Sequence, residues 1–345
     1  MSRRVALSLA IGASLLIAPL SHRASSARAQ APAKQFTIGF ANEDLANAFT
    51  QNVQRSIETY AKQNGFKLVS VNNNYDDATA LRNATILANK HVDLAVEFQV
   101  DAKIGPAIAA TFSKAHIPTV AIDIPQPGAI FFGANNFHDG VLTGQALGNY
   151  AKSHGWAANK ITEVLLNVPA AGAIPQLRMD GIDAGIRQVL PALPKGALIE
   201  QDGLGTVDKS QSVMANLLPR IPSGNHILVS AINDPSLLGA LRAVQVGNRA
   251  NDAVFAGQNC DASAVEQIRS TAQWIGDTAY FPEFYGYYIM QLAKKILGGQ
   301  KVMPYVFIPS LFIDKANLAT YYPGKTTVAT KLPAGGLVYS NSPRH

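Results

Sequence analysis

Polar and aromatic residues collect in this chain where short apolar runs end. "FTIGFA" leads into a stretch holding Asn47 and Phe49; "VDLAVEF" ends on Phe98 and is followed by Gln99; "IPTVAID" ends on Asp123; "HILVSAI" meets Asn233 and Asp234; and "GQNCD" holds Asn259. Amides both donate and accept hydrogen bonds, carboxylates accept them, and aromatic faces cover C–H surfaces. Those residue types suit the capture of a hydroxylated solute. Signs of bond-breaking chemistry are missing from the sequence: no HExxH, paired CxxC, G-x-S-x-G or P-loop motif occurs, and the seven histidines show no metal spacing. The only cysteine, Cys260, reads as a small buried thiol. No catalytic group, metal or cofactor is expected.

The elements that position these residues follow from hydrophobic period. Short β-rich runs at 36–41, 67–71, 92–98 and 117–123 alternate with helical patterns at 47–64, 77–90 and 102–115. After a turn-rich stretch, "IPQPGAIFFGANN", the rhythm resumes with strands at 161–167, 197–201, 226–232 and 253–257 and helices at 138–154, 175–190, 208–219 and 235–246. Such alternation predicts an α/β protein with parallel sheets. Two similar domains divide this many strands more economically than one sheet. In open parallel sheets ligands sit beyond the carboxyl ends of the strands, where the polar residues above are found. At Asn233-Asp234-Pro235 the capping preferences assign Asp234 to the N-cap and Pro235 to the first turn, which leaves Asn233 to face a ligand. Arg178 is expected on a solvated helix face, pairing with Asp180 or Asp183, and Glu97 is expected to point away from the site.

Composition narrows the function further. The 345-residue chain is 48% hydrophobic and 15% charged, which supports full cores and argues against disorder. Its N-terminus reads as a secretory signal: Arg3 and Arg4, an uncharged run from Val5 to Leu20, then Ala27-Arg28-Ala29, with cleavage before Gln30. The arginine pair hints at twin-arginine export, but Ala6 stands where an aromatic residue is usual, so general secretion is the default. The apolar run falls short of a membrane span. Losing residues 1–29 removes four arginines and no acid, so the formal +6 becomes +2, with 25 basic against 23 acidic residues. Nucleic-acid binding is not implied. One cysteine excludes an internal disulfide, and none follows the signal to take a lipid anchor.

Over roughly residues 36–313 the sequence resembles the periplasmic sugar-binding proteins of the ribose-binding type, the receptors of ABC importers. "AINDPSLLGALRAVQ" is similar to that family's strand-Asn-Asp segment, with Leu238 at a usual alanine. "IPTVAID" is similar to its strand ending in an aspartate, and "WIGDTAYFPEFYGYYIMQLAKKILGGQKV" to its late strand, hinge and helix. The resemblance implies the type I periplasmic binding protein fold: two doubly wound parallel-sheet domains joined by a three-strand hinge. It divides the chain into a signal at 1–29, an N-terminal lobe of 30–136 plus 281–309, a C-terminal lobe of 137–280 plus 310–330, and a flexible tail at 331–345.

By position, the resemblance assigns ligand contact to Asn47, Phe49, Phe98, Gln99, Asp123, Gln176, Asn233, Asn259 and Tyr280. Ile124 and Gln176 stand where the ribose pattern has arginines, so the cleft is expected to be less charged and more aromatic. The implied role is a monomeric periplasmic receptor that closes on a sugar or polyol and delivers it to a membrane permease driven by a separate ATPase. A less polar or aromatic solute, and a sensor role in chemotaxis or kinase signalling, are the alternatives. A lactose-repressor-like regulator would need a helix-turn-helix where the export signal stands.

Overall fold

The computed structural model describes residues 34–344; the stretch read as an export signal, with its expected cleavage point, lies outside them. The first lobe opens with β1 (Thr37–Asn42), α1 (Ala48–Gln63), β2 (Lys67–Asn72), α2 (Asp77–Asn89), β3 (Leu94–Glu97), α3 (Gly105–Lys114), β4 (Thr119–Ile122) and β5 (Ile130–Gly133). The second contains α4 (Asn136–Ser153), β6 (Ile161–Asn167), α5 (Ala173–Val189), β7 (Leu198–Asp202), α6 (Val207–Leu217), β8 (His226–Ala231), α7 (Asp234–Val246), β9 (Ala253–Asn259), α8 (Ala262–Ser270) and β10 (Trp274–Ala279). The chain then returns through α9 (Tyr285–Leu297) and β11 (Tyr305–Phe307), and ends with β12 (Leu311–Asp314), α10 (Leu318–Tyr321) and β13 (Val338–Ser340).

Two sheets result, with spatial orders β13-β11-β5-β4-β3-β1-β2 and β12-β10-β9-β8-β6-β7. Both are parallel except at one edge, where β13 runs against β11 and β12 against β10. Central strands are buried along most of their length because helices cover both of their faces. All seven residues of β6 are buried, whereas β2, at an edge, alternates between exposed and half-buried positions.

The strand at 130–133 was not expected, because Pro127 and Gly128 just before it and Gly133 at its end mask three good β-formers, Ile130, Phe131 and Phe132, in the turn-rich stretch. The tail also departs from expectation. Instead of fraying throughout, it places Val338–Ser340 on the edge of the first sheet, with Val306 opposite Tyr339. The chain therefore passes between the sheets at 134–135, 280–284 and 308–310, as a three-strand hinge requires, and a fourth time between α10 and β13.

In the second lobe, α4 and α5 touch backbone to backbone. A Cβ at Gly144 would lie 2.1 Å from Ile182 O, one at Gly140 2.2 Å from Arg178 O, and one at Gly181 2.3 Å from Phe137 O. No residue with a side chain fits that contact, and it brings Arg178 of α5 against the first residue of α4. Gly144→Ala should therefore lower folding stability by about 1–3 kcal/mol through overpacking. Chemical denaturation checks this, and an unchanged midpoint would contradict it.

Candidate ligand-binding cleft

Beyond the carboxyl ends of both sets of strands lies a cleft of about 740 Å³. The lobes touch at its side, where Ala102 N donates to Ala170 O at 3.1 Å.

The loop after β1 is built by short polar side chains. Asn42 Oδ1 accepts from Glu43 N, and Asp44 Oδ1 accepts from Ala46 N, Asn47 N and Thr50 Oγ1. Asn47 caps α1 through Thr50 N and donates to Asp44 Oδ2 at 2.7 Å, so its amide is largely committed to the protein although it lines the cleft. Glu43 differs. Its buried carboxyl lines the cleft and meets no hydrogen-bond partner among the described residues. Burial, with Asp44 and Asp123 nearby, pushes it up to about 8. At neutral pH it is an acid able to donate a proton to a hydroxyl oxygen.

Asp123 faces the same space from the turn after β4. Its backbone is left-handed, with φ 56, and its carboxylate lies over Gly133, where a Cβ would stand 2.1 Å from Oδ1. It accepts from Ala134 N at 3.3 Å. Burial raises it to about 6, against the opposing pull of Arg178 and of the Ala134 N–H. Phe49 and Phe98 line the wall beside it, edge to face at 6.4 Å, and Phe49 meets Tyr285 in the same way at 5.6 Å.

The second lobe supplies Arg178, and here the expectation of a solvated pair with Asp180 or Asp183 fails. The guanidinium is buried, donates to Asn136 Oδ1 at 3.0 Å and to Ile232 O, lies 5.0 Å above the Tyr280 ring, and lines the cleft. Gln176, two residues earlier, lies outside the cleft lining. It is held by Asn167, Glu200 and Asp180, because two residues turn a helix through about 200°. Among the described residues no ion pair joins Arg178 to Asp123.

Asn233 is the N-cap of α7, accepting from Ser236 N at 3.0 Å and donating to Gly205 O at 3.1 Å. The assignment of capping to Asp234 is thereby reversed, although Asn233 still lines the cleft. Asp234 lies below the surface and accepts from Asp261 N at 2.7 Å. Asp277 accepts from Cys260 N at 2.8 Å, and burial, with each acid close to the other, holds both well above the carboxylate range. That pair clamps the loop on which Asn259 and Asp261 line the cleft. Tyr280 lies behind the wall: it is buried under Arg178, and its hydroxyl donates to Gln258 Oε1. Gln99 lines a separate side chamber.

The cleft lining brings together Glu43, Asp44, Asp123, Asp261 and Arg178, so it holds ionisable groups as well as aromatic rings. The sequence pattern does not single out Glu43 or Asp44 after the first strand, and it places Arg178 on a solvated helix face. The buried face of α5 through Pro175, Arg178, Met179 and Ile182, at helical spacing, was the signal for Arg178, and it depended on helical register. Among the described residues no cluster suits a metal ion and no helix is long and apolar enough to cross a membrane.

Two α/β lobes with crossing strands behind a cleft of donors, acceptors and rings define a two-lobed solute-binding protein. The chain belongs to the family described as "Periplasmic binding protein domain", whose model matches residues 38–301. It is 27% identical over 273 residues to the ABC transporter L-arabinose-binding periplasmic protein of Azospirillum brasilense, covering 75% of this chain and 78% of that one. It is 26% identical over 279 residues to the ribose import binding protein of Bacillus subtilis, covering 80% and 86%. Among solved structures, an ABC transporter solute binding protein from Mycobacterium smegmatis with bound glycerol superposes with a TM-score of 0.74 at 23% identity, covering 86% of this chain and all of that one. One from Bacillus halodurans with bound myo-inositol gives 0.71 at 18% identity, with the same coverage. The resemblance to ribose-type sugar receptors and the type I fold expected from it are borne out.

The buried acids set a pH dependence. Glu97, kept inside the first lobe, accepts from Asn73 at 3.0 Å through Oε1, while Oε2 meets no partner among the described residues. Burial pushes it, like Glu43, from 4.5 to about 8. Carboxyls raised on folding hold their protons more tightly in the native state. Their contribution is complete below the unfolded value of 4.5 and is lost as pH rises through about 8. Glu97→Gln keeps the acceptor for Asn73. Its melting temperature should fall less steeply than wild type between about pH 5 and 8.5, and parallel profiles would contradict this.

Proposed function

We propose that this protein is a periplasmic receptor that captures a sugar or polyol between its lobes and presents it, closed, to an ABC permease driven by a separate ATPase. The observation that carries the reading is the opposition of Asp123 and Glu43 on one lobe to Arg178 on the other across a single cleft, with Phe49 and Phe98 beside them. A ring of hydroxyls accepts from the guanidinium and from protonated Glu43, donates to Asp123, and lays its C–H face on the aromatic rings. Touching both lobes, such a solute favours the closed state by its differential affinity. The names of the relatives, which specify arabinose and ribose, support the solute class. The N-terminal signal reading supports export, and the function asks for a monomer with no catalytic step and no cofactor.

A thermal-shift panel of L-arabinose, D-ribose, xylitol, glycerol and myo-inositol tests the reading. A ligand at about 100 times its dissociation constant adds roughly 2.7 kcal/mol, enough to move the midpoint by several degrees. Asp123→Ala should weaken the best of these by about 10- to 100-fold in calorimetry, the scale of one charged hydrogen bond, with cooperative unfolding retained. A panel that leaves the midpoint unmoved would sink the reading, and an Asp123→Ala variant that binds as tightly as wild type would sink the site.

A further inference from the structure

Behind Tyr75 the cleft continues into a side chamber of about 310 Å³. Glu43, Tyr75, Val100, Val168 and Thr206 line both spaces, so the two are contiguous. One group in the chamber is unexplained by the fold. Gln99 is only 4% exposed, and neither its Oε1 nor its Nε2 meets a hydrogen-bond partner among the described residues. A buried carboxamide with donor and acceptor both unmet is destabilising unless something else satisfies it. The backbone around it gives no reason for its presence: neighbouring Phe98 bonds Ala41 and Asn73 through its own N–H and carbonyl. Val100, Val168, Ala170 and Leu204 give the chamber an apolar wall, Asp76, Asp77 and Asp101 add carboxylates to its lining, and the Ala102–Ala170 contact joins the lobes beside it. An apolar wall, carboxylates able to accept, the unmet Gln99 amide able to donate and accept, and the half-exposed ring of Tyr75 suit a second hydroxylated ring.

We propose that the side chamber is a second subsite of the cleft, occupied by the second ring of a disaccharide whose hydroxyls pair with the Gln99 carboxamide while its C–H surface lies against Tyr75 and Val168. The inference rests on the sugar-receptor reading and extends it from one ring to two. The first ring sits between Asp123 and Arg178; the second reaches past Tyr75.

Calorimetry on the full mature chain tests it, with D-glucose, D-galactose and L-arabinose as single rings and maltose, cellobiose, lactose and melibiose as double rings. At least one disaccharide should bind 10-fold or more tightly than either of its component rings. Gln99→Leu should cut that preference at least 10-fold. Ala170→Phe, which fills the chamber from a residue outside the main cleft, should abolish the preference and keep single-ring affinity within about twofold. Single rings binding with no disaccharide preferred, or a preference unmoved by both variants, overturns the second subsite and leaves the receptor reading standing. If none of the seven sugars binds but D-ribose, xylitol, glycerol or myo-inositol does, the second subsite is overturned and the receptor reading stands; if none of these solutes binds either, both fall.

Discussion

A buried guanidinium must have its N–H donors met, and much of the second lobe is arranged around those of Arg178. The glycine contact between α4 and α5 brings it to Asn136, the first residue after the chain crosses from the first lobe. The carbonyl of Ile232, just past β8, takes another donor, and Tyr280, where the chain leaves the second lobe, supplies a ring beneath the charge. Cation–π contact of this kind is favourable by about 0.5–2 kcal/mol, more when water is excluded. One side chain therefore ties two crossing segments to the cleft wall. Its charge still looks across the cleft at Asp123, with no ion pair formed. A solute that touches both completes what the fold leaves open.

The first lobe prepares the opposing surface by different means. Its strand ends are polar because helix N-termini need caps there, and Asn47 and Asp76 cap α1 and α2 as Asn233 and Asp261 cap α7 and α8 in the second lobe. Those caps do not reach the Glu43 carboxyl, and its burial, with Asp44 and Asp123 nearby, keeps it protonated at neutral pH. A protonated acid beside an ionised one offers both halves of a hydroxyl's hydrogen bonding. Separating the two states in this way requires burial, which both carboxyls have beside the cleft.

Much of this was legible in the residues. Every strand predicted from 36–41 to 253–257 is present within a few residues, because buried parallel strands write continuous apolar runs and their helices write a clear 3.6 period. β5, β11, β12 and β13 were missed, since two or three β-formers beside proline or glycine carry no period. Within the site, Asn47, Phe49, Phe98, Asp123, Asn233 and Asn259 do line the cleft. Gln176 and Arg178 were exchanged, because helical register fixes which of two residues turns inward and the start of α5 after Gly172 blurred it. Asn233 and Asp234 were exchanged for a related reason. Either can cap, and only the buried Asp277 beside Asp234 decides between them.

The most direct measurement of the central claim is the affinity of Arg178→Lys for whichever sugar stabilises the protein best, with thermal unfolding followed in parallel. Lysine keeps the charge but loses the planar fork that bonds Asn136 and Ile232 while facing the cleft. The account predicts a variant that still unfolds cooperatively and binds at least about 10-fold more weakly, the lower end for a hydrogen bond to a charged group. A cooperatively folded variant with wild-type affinity would contradict it.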